Sequence, residues 1–464
     1  MSDFVITAYG AVGDGTVDCT VAIQAAINAC HGAGEGRVVV PAPGVYLAGP
    51  FQLKSWVELH VEAKATVQAI VDEARYSEPP FQNRSEGSMW ISARGAEHIA
   101  ITGLGTLDGR GTAFMENETP THFNYKFVDG VDLRPHLLTL VGCRHITIRD
   151  VTFADAAYWC VHPAGCRDVV IDGVRIFNSL KVRNCDGIDI DHCRDVRISN
   201  CLIESADDCI CIKNRRDFAE FGPCENITIT GCVLTSTSCA LKLGSENVDA
   251  MRDIVVVGCV IKASNRCLGI QNRDEGSIEN VLFSDIVIES RLFADVWWGK
   301  SEPIYVTAFK RAPGTLHRFK PGATTGEIGP VRNIRFRNIV CRSEGGVYVC
   351  GCAESRITGL VFDDVRVEIN KTSKYPGGLL DRRPCDVEGI VAAPTAGFRL
   401  EAADDVALRN CRVDWGPNRP DYYGSALVAD DVSDMVLEGF RGEAAHPERD
   451  PATIISPTDA LQAR

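Results

Sequence analysis

Apolar positions in this chain alternate in short runs that return at a near-constant interval. One unit is a polar residue, three positions of strand character, one or two polar or glycine positions and then an apolar run, as in His98-Ile-Ala-Ile-Thr-Gly and His145-Ile-Thr-Ile-Arg-Asp. Further units start at Asp168, Asp195, Asn226, Asp253, Asn280, Asn333, Gly359, Asp405 and Asp434, and the steps from His145 to Asn280 are 23, 27, 31, 27 and 27 residues. A fixed period of this size marks a solenoid. Alternation with β-branched residues, Gly or Asn at the bends and no helix-length segment between strands predict an all-β, right-handed parallel β-helix. A TIM barrel or a Rossmann sheet needs crossover helices that this pattern lacks. Cys201, Cys232, Cys259 and Cys411 follow Asn or Gly at equivalent places, which predicts an internal stack of small side chains.

Three stretches depart from the period. Ile23, Ile27 and Cys30 recur at helical spacing behind Asp18 and Thr20, predicting a capping helix over 18–31 that closes one open end of the solenoid. Asp295 to Pro330 and Ile369 to Thr395 read as insertions, which in solenoids form loops over the binding face. The expected organisation is one β-helix domain over 1–445 and a loose tail over 446–464.

A length of 464 residues exceeds one ordinary globular domain, but a repeat architecture lifts that limit. A net charge of −14 gives no basic footprint for nucleic acid. The start Met1-Ser2-Asp3 carries no signal-like segment and no stretch is long enough to span a bilayer, so no membrane partner and a cytoplasmic address are expected. The 20 cysteines are then expected as reduced, buried thiols. Cys209-Ile-Cys211 and Cys350-Gly-Cys352 alternate as strands do and lack CxxC partners, so no metal and no cofactor are assigned.

The chemistry concentrates in Asn184-Cys-Asp186-Gly-Ile-Asp189 and Ala206-Asp207-Asp208-Cys-Ile-Cys-Ile-Lys213. Asp186 and Asp207 are 21 residues apart, close to one coil, which would crowd Asp186, Asp207 and Asp208 on adjacent rungs roughly 4.8 Å apart. Crowded carboxylates hold one another partly protonated. Glycoside hydrolysis needs that mixture, one acid for the leaving oxygen and one base for water, separated by roughly 6.5–9.5 Å in inverting enzymes. Asp172, Asp195 and Asp253 read instead as solvated turn residues.

At these residues the chain resembles glycoside hydrolase family 28, the polygalacturonase family, as a divergent bacterial-type member, over nearly its whole length. Tyr9-Gly-Ala-Val-Gly-Asp-Gly15 with Ala22-Ile-Gln-Ala-Ala-Ile27 is similar to the entry segment of pectin-active β-helices. Ile101-Thr-Gly-Leu-Gly-Thr-Leu-Asp-Gly109 is similar to the next landmark, and the two Asp motifs match catalytic motifs at their spacing. The resemblance implies that Asp207 is the general acid and that Asp186 with Asp208 activates water for an inverting displacement. Two family motifs are altered. Cys239 stands at the place of a histidine, and Gly269 and Gln271 stand where the family has Arg and Lys against the substrate carboxylate. A planar Arg fork is not replaced by Gly plus Gln. Either Lys242 and Arg273 supply charge from another angle or the sugar is neutral.

Asn184, Trp159, His162, Lys213, Cys239, Lys242, Gln271, Arg273 and Glu302 complete the candidate substrate-binding set, with Trp297 and Trp298 as further aromatic faces. Cys239 as a nucleophile is disfavoured, because nothing beside it in sequence activates it. The expected activity is an inverting hydrolysis of pectin-derived or related plant oligosaccharides, including galacturonides. The alternatives are a uronate lyase or epimerase and a non-catalytic carbohydrate-binding β-helix.

Overall fold

The computed structural model describes residues 2–76, 82–83, 87–116, 123–128, 132, 134–312, 325–456 and 462–463. Part of the insertion expected over Asp295–Pro330 and the end of the tail lie outside them. The chain divides into two compact units, Met1–Ile210 and Cys211–Arg464. Each is built of parallel coils, so the all-β parallel β-helix expected from the period is what the chain forms.

In the first unit three parallel sheets run along the stack. One joins Gly36–Val40, Val57–Val61, Glu97–Thr102, Arg144–Arg149, Arg167–Asp172 and Arg194–Ser199. A second joins Gly44–Ala48, Ala65–Ala69, Thr106–Asp108, Thr152–Ala154, Arg175–Phe177 and Leu202–Ser205. The third joins Phe51–Gln52, Gly87–Arg94, His136–Val141, Val161–Ala164 and Ile188–Asp191, and it carries the candidate site. The helix Thr20–Gly32 buries Ala22, Ile23, Ala26, Ile27 and Cys30, the stripe the sequence marks. Asp18 accepts the Thr20 N–H at 2.9 Å, which steadies the helix start.

In the second unit longer strands bend through a corner without breaking. Met251–Val257, Ile278–Ser290, Val331–Ser343 and Ile357–Ile369 pair in register. Phe283, Phe336 and Phe362 therefore share one column, with ring centroids 5.0 and 5.2 Å apart and nearly parallel planes. Thr453–Ile455, within the stretch expected as a tail, pairs with Leu427–Ala429.

The period has a conformational cause. All eleven unit-start residues, from His98 at φ 54° to Asp434 at φ 46°, sit in the left-handed region. That conformation costs most side chains roughly 1–2 kcal/mol and is tolerated best by Gly, Asn and Asp. The polar residue that punctuates the sequence is thus the corner of each coil. A second left-handed corner falls at Asn200, Gly231, Gly258 and Asn410. The cysteine after each of these is buried, as the stack of small side chains predicts.

Candidate active site

Backbone hydrogen bonds stack the coil ends that carry the acids in the first unit. Cys160 N–H donates to Asp186 O at 2.9 Å and Val161 N–H to Gly187 O at 3.0 Å; one coil on, Gly187 N–H donates to Asp208 O at 2.8 Å and Ile188 N–H to Cys209 O at 2.9 Å. In a parallel ladder this offset sets Trp159, Asp186 and Asp208 in one column. One coil from Asp186 is thus the 22-residue step to Asp208, and Asp207 lies one residue short of it. One oxygen of each of Asp186, Asp207 and Asp208 lies within 4.8 Å of the others. The three side chains are 2, 5 and 1% exposed. Three carboxyl groups so close and so shielded from water form one electrostatic cluster. The same three carboxylates are spaced so that they could share a cation.

The turn that delivers Asp186 is tightly determined. Asn184 is in the left-handed conformation at φ 57°. At Gly187 a Cβ would stand 2.4 Å from Cys209 O and 2.7 Å from Ile203 Cγ2, so the approach of this coil to the next admits no side chain. Buried Asn178, which the sequence does not single out, ties the neighbourhood together. Its Nδ2 donates to Cys185 O at 2.7 Å and to Ser205 Oγ at 3.1 Å, and its Oδ1 accepts Ala156 N–H at 3.0 Å. One amide thus fixes the chain just before Asp186 and just before Asp207. Its only sequence signal is an Asn outside the corner positions.

Trp159 and His162 lie with His136 beside this column: the Trp159 ring centroid is 5.2 Å from His136 and 4.9 Å from His162, edge to face. His162 Nε2 is 3.3 Å from Asp191 Oδ2, both fully buried. Both candidates are therefore buried, packed against His136 and, for His162, beside Asp191.

The remaining candidates belong to the second unit. Lys213 is 3.9 Å from Glu246 Oε2. Burial pushes the Glu246 carboxyl up, but Lys213, Arg311, Lys242 and Arg215 outweigh it and hold the pKa at about 2. Lys242 therefore stands in a positive group around one ionised acid. Lys242 is in register with Gly269, the place of the family's arginine.

The altered motifs are one packing change. Cys239 is buried opposite Arg266, and a Cβ on Gly269 would meet Cys239 Sγ at 2.9 Å and Arg266 Cδ at 3.3 Å. The sulfur and the Arg266 stem occupy the space that a side chain at 269 would need. Arg266, missed by sequence reasoning, lies 3.4 Å from the Tyr305 ring centroid and pairs with Glu302 at 3.2 Å. Glu302 also accepts the Lys300 N–H at 2.7 Å, so its carboxylate is engaged within the protein.

Gln271 and Arg273 face inward to an insertion. Gln271 Nε2 donates to Arg383 O at 2.5 Å, and Arg273 donates to Pro384 O at 2.6 Å and Arg382 O at 2.8 Å. These carbonyls belong to the loop between Leu379–Asp381 and Ile390–Ala392, an antiparallel pair. The same loop places the Arg383 guanidinium 4.9 Å from the Trp298 ring centroid, with Nη2 donating to Trp297 O at 2.9 Å. The two stretches that break the period thus meet.

Parallel coils with clustered, buried aspartates at the end of one strand define a glycosidase built on a β-helix. The chain belongs to the glycosyl hydrolases family 28, whose model matches residues 30–376. It is 29% identical over 408 residues to a probable polygalacturonase of Vitis vinifera, covering 83% of this chain and 78% of that protein. It is 26% identical over 380 residues to an exopolygalacturonase of Zea mays, covering 80% and 84%. Its fold matches the crystal structure of a hyperthermoactive exopolygalacturonase from Thermotoga maritima with a TM-score of 0.65 at 23% identity, over 89% of this chain and 92% of that one. Both of these sequence relatives are plant proteins, which gives no support to a bacterial-type placement within the family. The chain is a polygalacturonase-like hydrolase of glycosidic bonds.

Proposed function

We propose that this enzyme hydrolyses short galacturonide chains from an end, with inversion, using Asp207 as acid and Asp186 with Asp208 as the base that activates water. The observation that carries the reading is the convergence of three buried carboxylates within 4.8 Å. Asp207 gives its proton to the glycosidic oxygen as the bond from C1 to that oxygen breaks; water attacks C1 and loses its proton to the Asp186–Asp208 pair, so one proton leaves the cluster and one returns.

The carboxylate spacing is tighter than the roughly 6.5–9.5 Å of inverting enzymes and alone would read as retaining. Here the acids number three, so a water shared by two of them leaves the third beside the leaving oxygen without a long gap. The maize and Thermotoga relatives are named exopolygalacturonases, which supports action at a chain end.

An assay of oligogalacturonides tests it. Hydrolysis releases reducing ends without an unsaturated chromophore, a lyase produces the chromophore, and a binding protein produces neither. Proton NMR of the first product should show the inverted anomer; retention would remove the assigned roles.

A further inference from the structure

We propose that Arg134 is a positioning residue for the acid cluster: its guanidinium clamps the turn that delivers Asp186 onto the preceding coil and lends that turn a positive charge. This rests on the reading of Asp186, Asp207 and Asp208 as the catalytic acids.

Arg134 is 3% exposed, so every donor it carries must find a partner inside the protein. Its Nη1 donates to Arg183 O at 2.5 Å and to Ala157 O at 2.8 Å. Arg183 lies three residues before Asp186, and Ala157 lies two before Trp159. A single nitrogen thereby joins the segments that lead into successive rungs of one column. The other edge of the fork meets Asp132, Nε to Oδ1 at 2.9 Å and Nη2 to Oδ2 at 3.0 Å. Phe127 and Tyr158 face the guanidinium at 4.8 and 5.0 Å, which shields it from water.

The charge count gives this arrangement its consequence. Asp132 cancels one cation. A second, Arg183, is held against the same Phe127 ring at 4.6 Å, although burial and the charge of Arg134 both disfavour it. Two guanidiniums sharing one ring are costly unless anions lie within range. Burial depresses Arg134 to about 10, and Tyr158, Cys185, Asp186 and Asp207 pull it back up; of these groups only the two aspartates are carboxylates. Attraction is mutual, so the cation favours a negative charge on the cluster, which the base Asp186 carries while Asp207 keeps the proton. Cys185 is itself pushed up to about 12, chiefly by burial, and stays a neutral thiol at working pH.

Two variants separate charge from clamp. Arg134→Met removes both. An opposite charge nearby lowers a carboxyl pKa by about 1–3 units, so the acid limb of the kcat profile should move up by about one unit or more, with KM for the oligogalacturonide little changed. Arg134→Lys keeps the charge but cannot bridge two carbonyls and a carboxylate; it should lower kcat while leaving the acid limb in place. An acid limb that stays put in Arg134→Met, or one that moves equally in both variants, would overturn the proposal. Carboxyl-carbon NMR of aspartate-labelled protein reads the same shift at Asp186 and Asp207 without turnover. A wild-type enzyme inactive on every sugar would remove the hydrolase reading, and the NMR titration would still decide this one.

Discussion

Asp207→Asn should leave a folded protein whose kcat on oligogalacturonides is about 10²- to 10⁴-fold lower, the range that general acid catalysis contributes. The side chain keeps its shape and loses only its proton, so binding should survive and the effect should fall on kcat. An activated leaving group such as an aryl glycoside needs little protonation and should recover much of the loss. That rescue separates a missing acid from a disturbed site. Unchanged turnover on the natural linkage would mean that another group donates the proton, and Asp207 would lose its role.

Gly187→Ala should be as damaging without touching an acid. A methyl group placed 2.4 Å from Cys209 O must push apart the coil of Asp186 and the coil of Asp208. Overpacking of this sort costs about 1–3 kcal/mol of stability. A displacement of about 1 Å between reacting groups costs on the order of 10²-fold in rate. Chemical denaturation and kcat should therefore fall together. If the variant keeps full activity, the close approach does not set the distance between the acids.

The sequence shows the coils because one backbone conformation at each corner admits few residues, and Asn, Asp, His and Gly mark it from His98 to Asp434. It shows the acids because Asp186 lies one coil before the Asp207–Asp208 pair and the two coils stay in step. Asn178 and Arg134 are harder to see. Each acts through contacts reaching 22 to 49 residues along the chain, and neither lies on the repeat that would align it with its partners. Gln271 and Arg273 show the same difficulty. In sequence they look like substrate contacts on a coil, but the path of the inserted loop over 382–384 has no period to follow, and its carbonyls take their donors. Glu302 needs Arg266, which carries no family signature, before its engagement can be read.

The interlocking of Cys239, Gly269 and Arg266 limits how this neighbourhood can be re-engineered. Any side chain introduced at 269 meets the Cys239 sulfur and the Arg266 stem. Substitutions at 239, 266 and 269 should therefore be coupled rather than additive. An arginine grafted at 269 by itself would report the room the sulfur leaves before it reported the worth of a guanidinium.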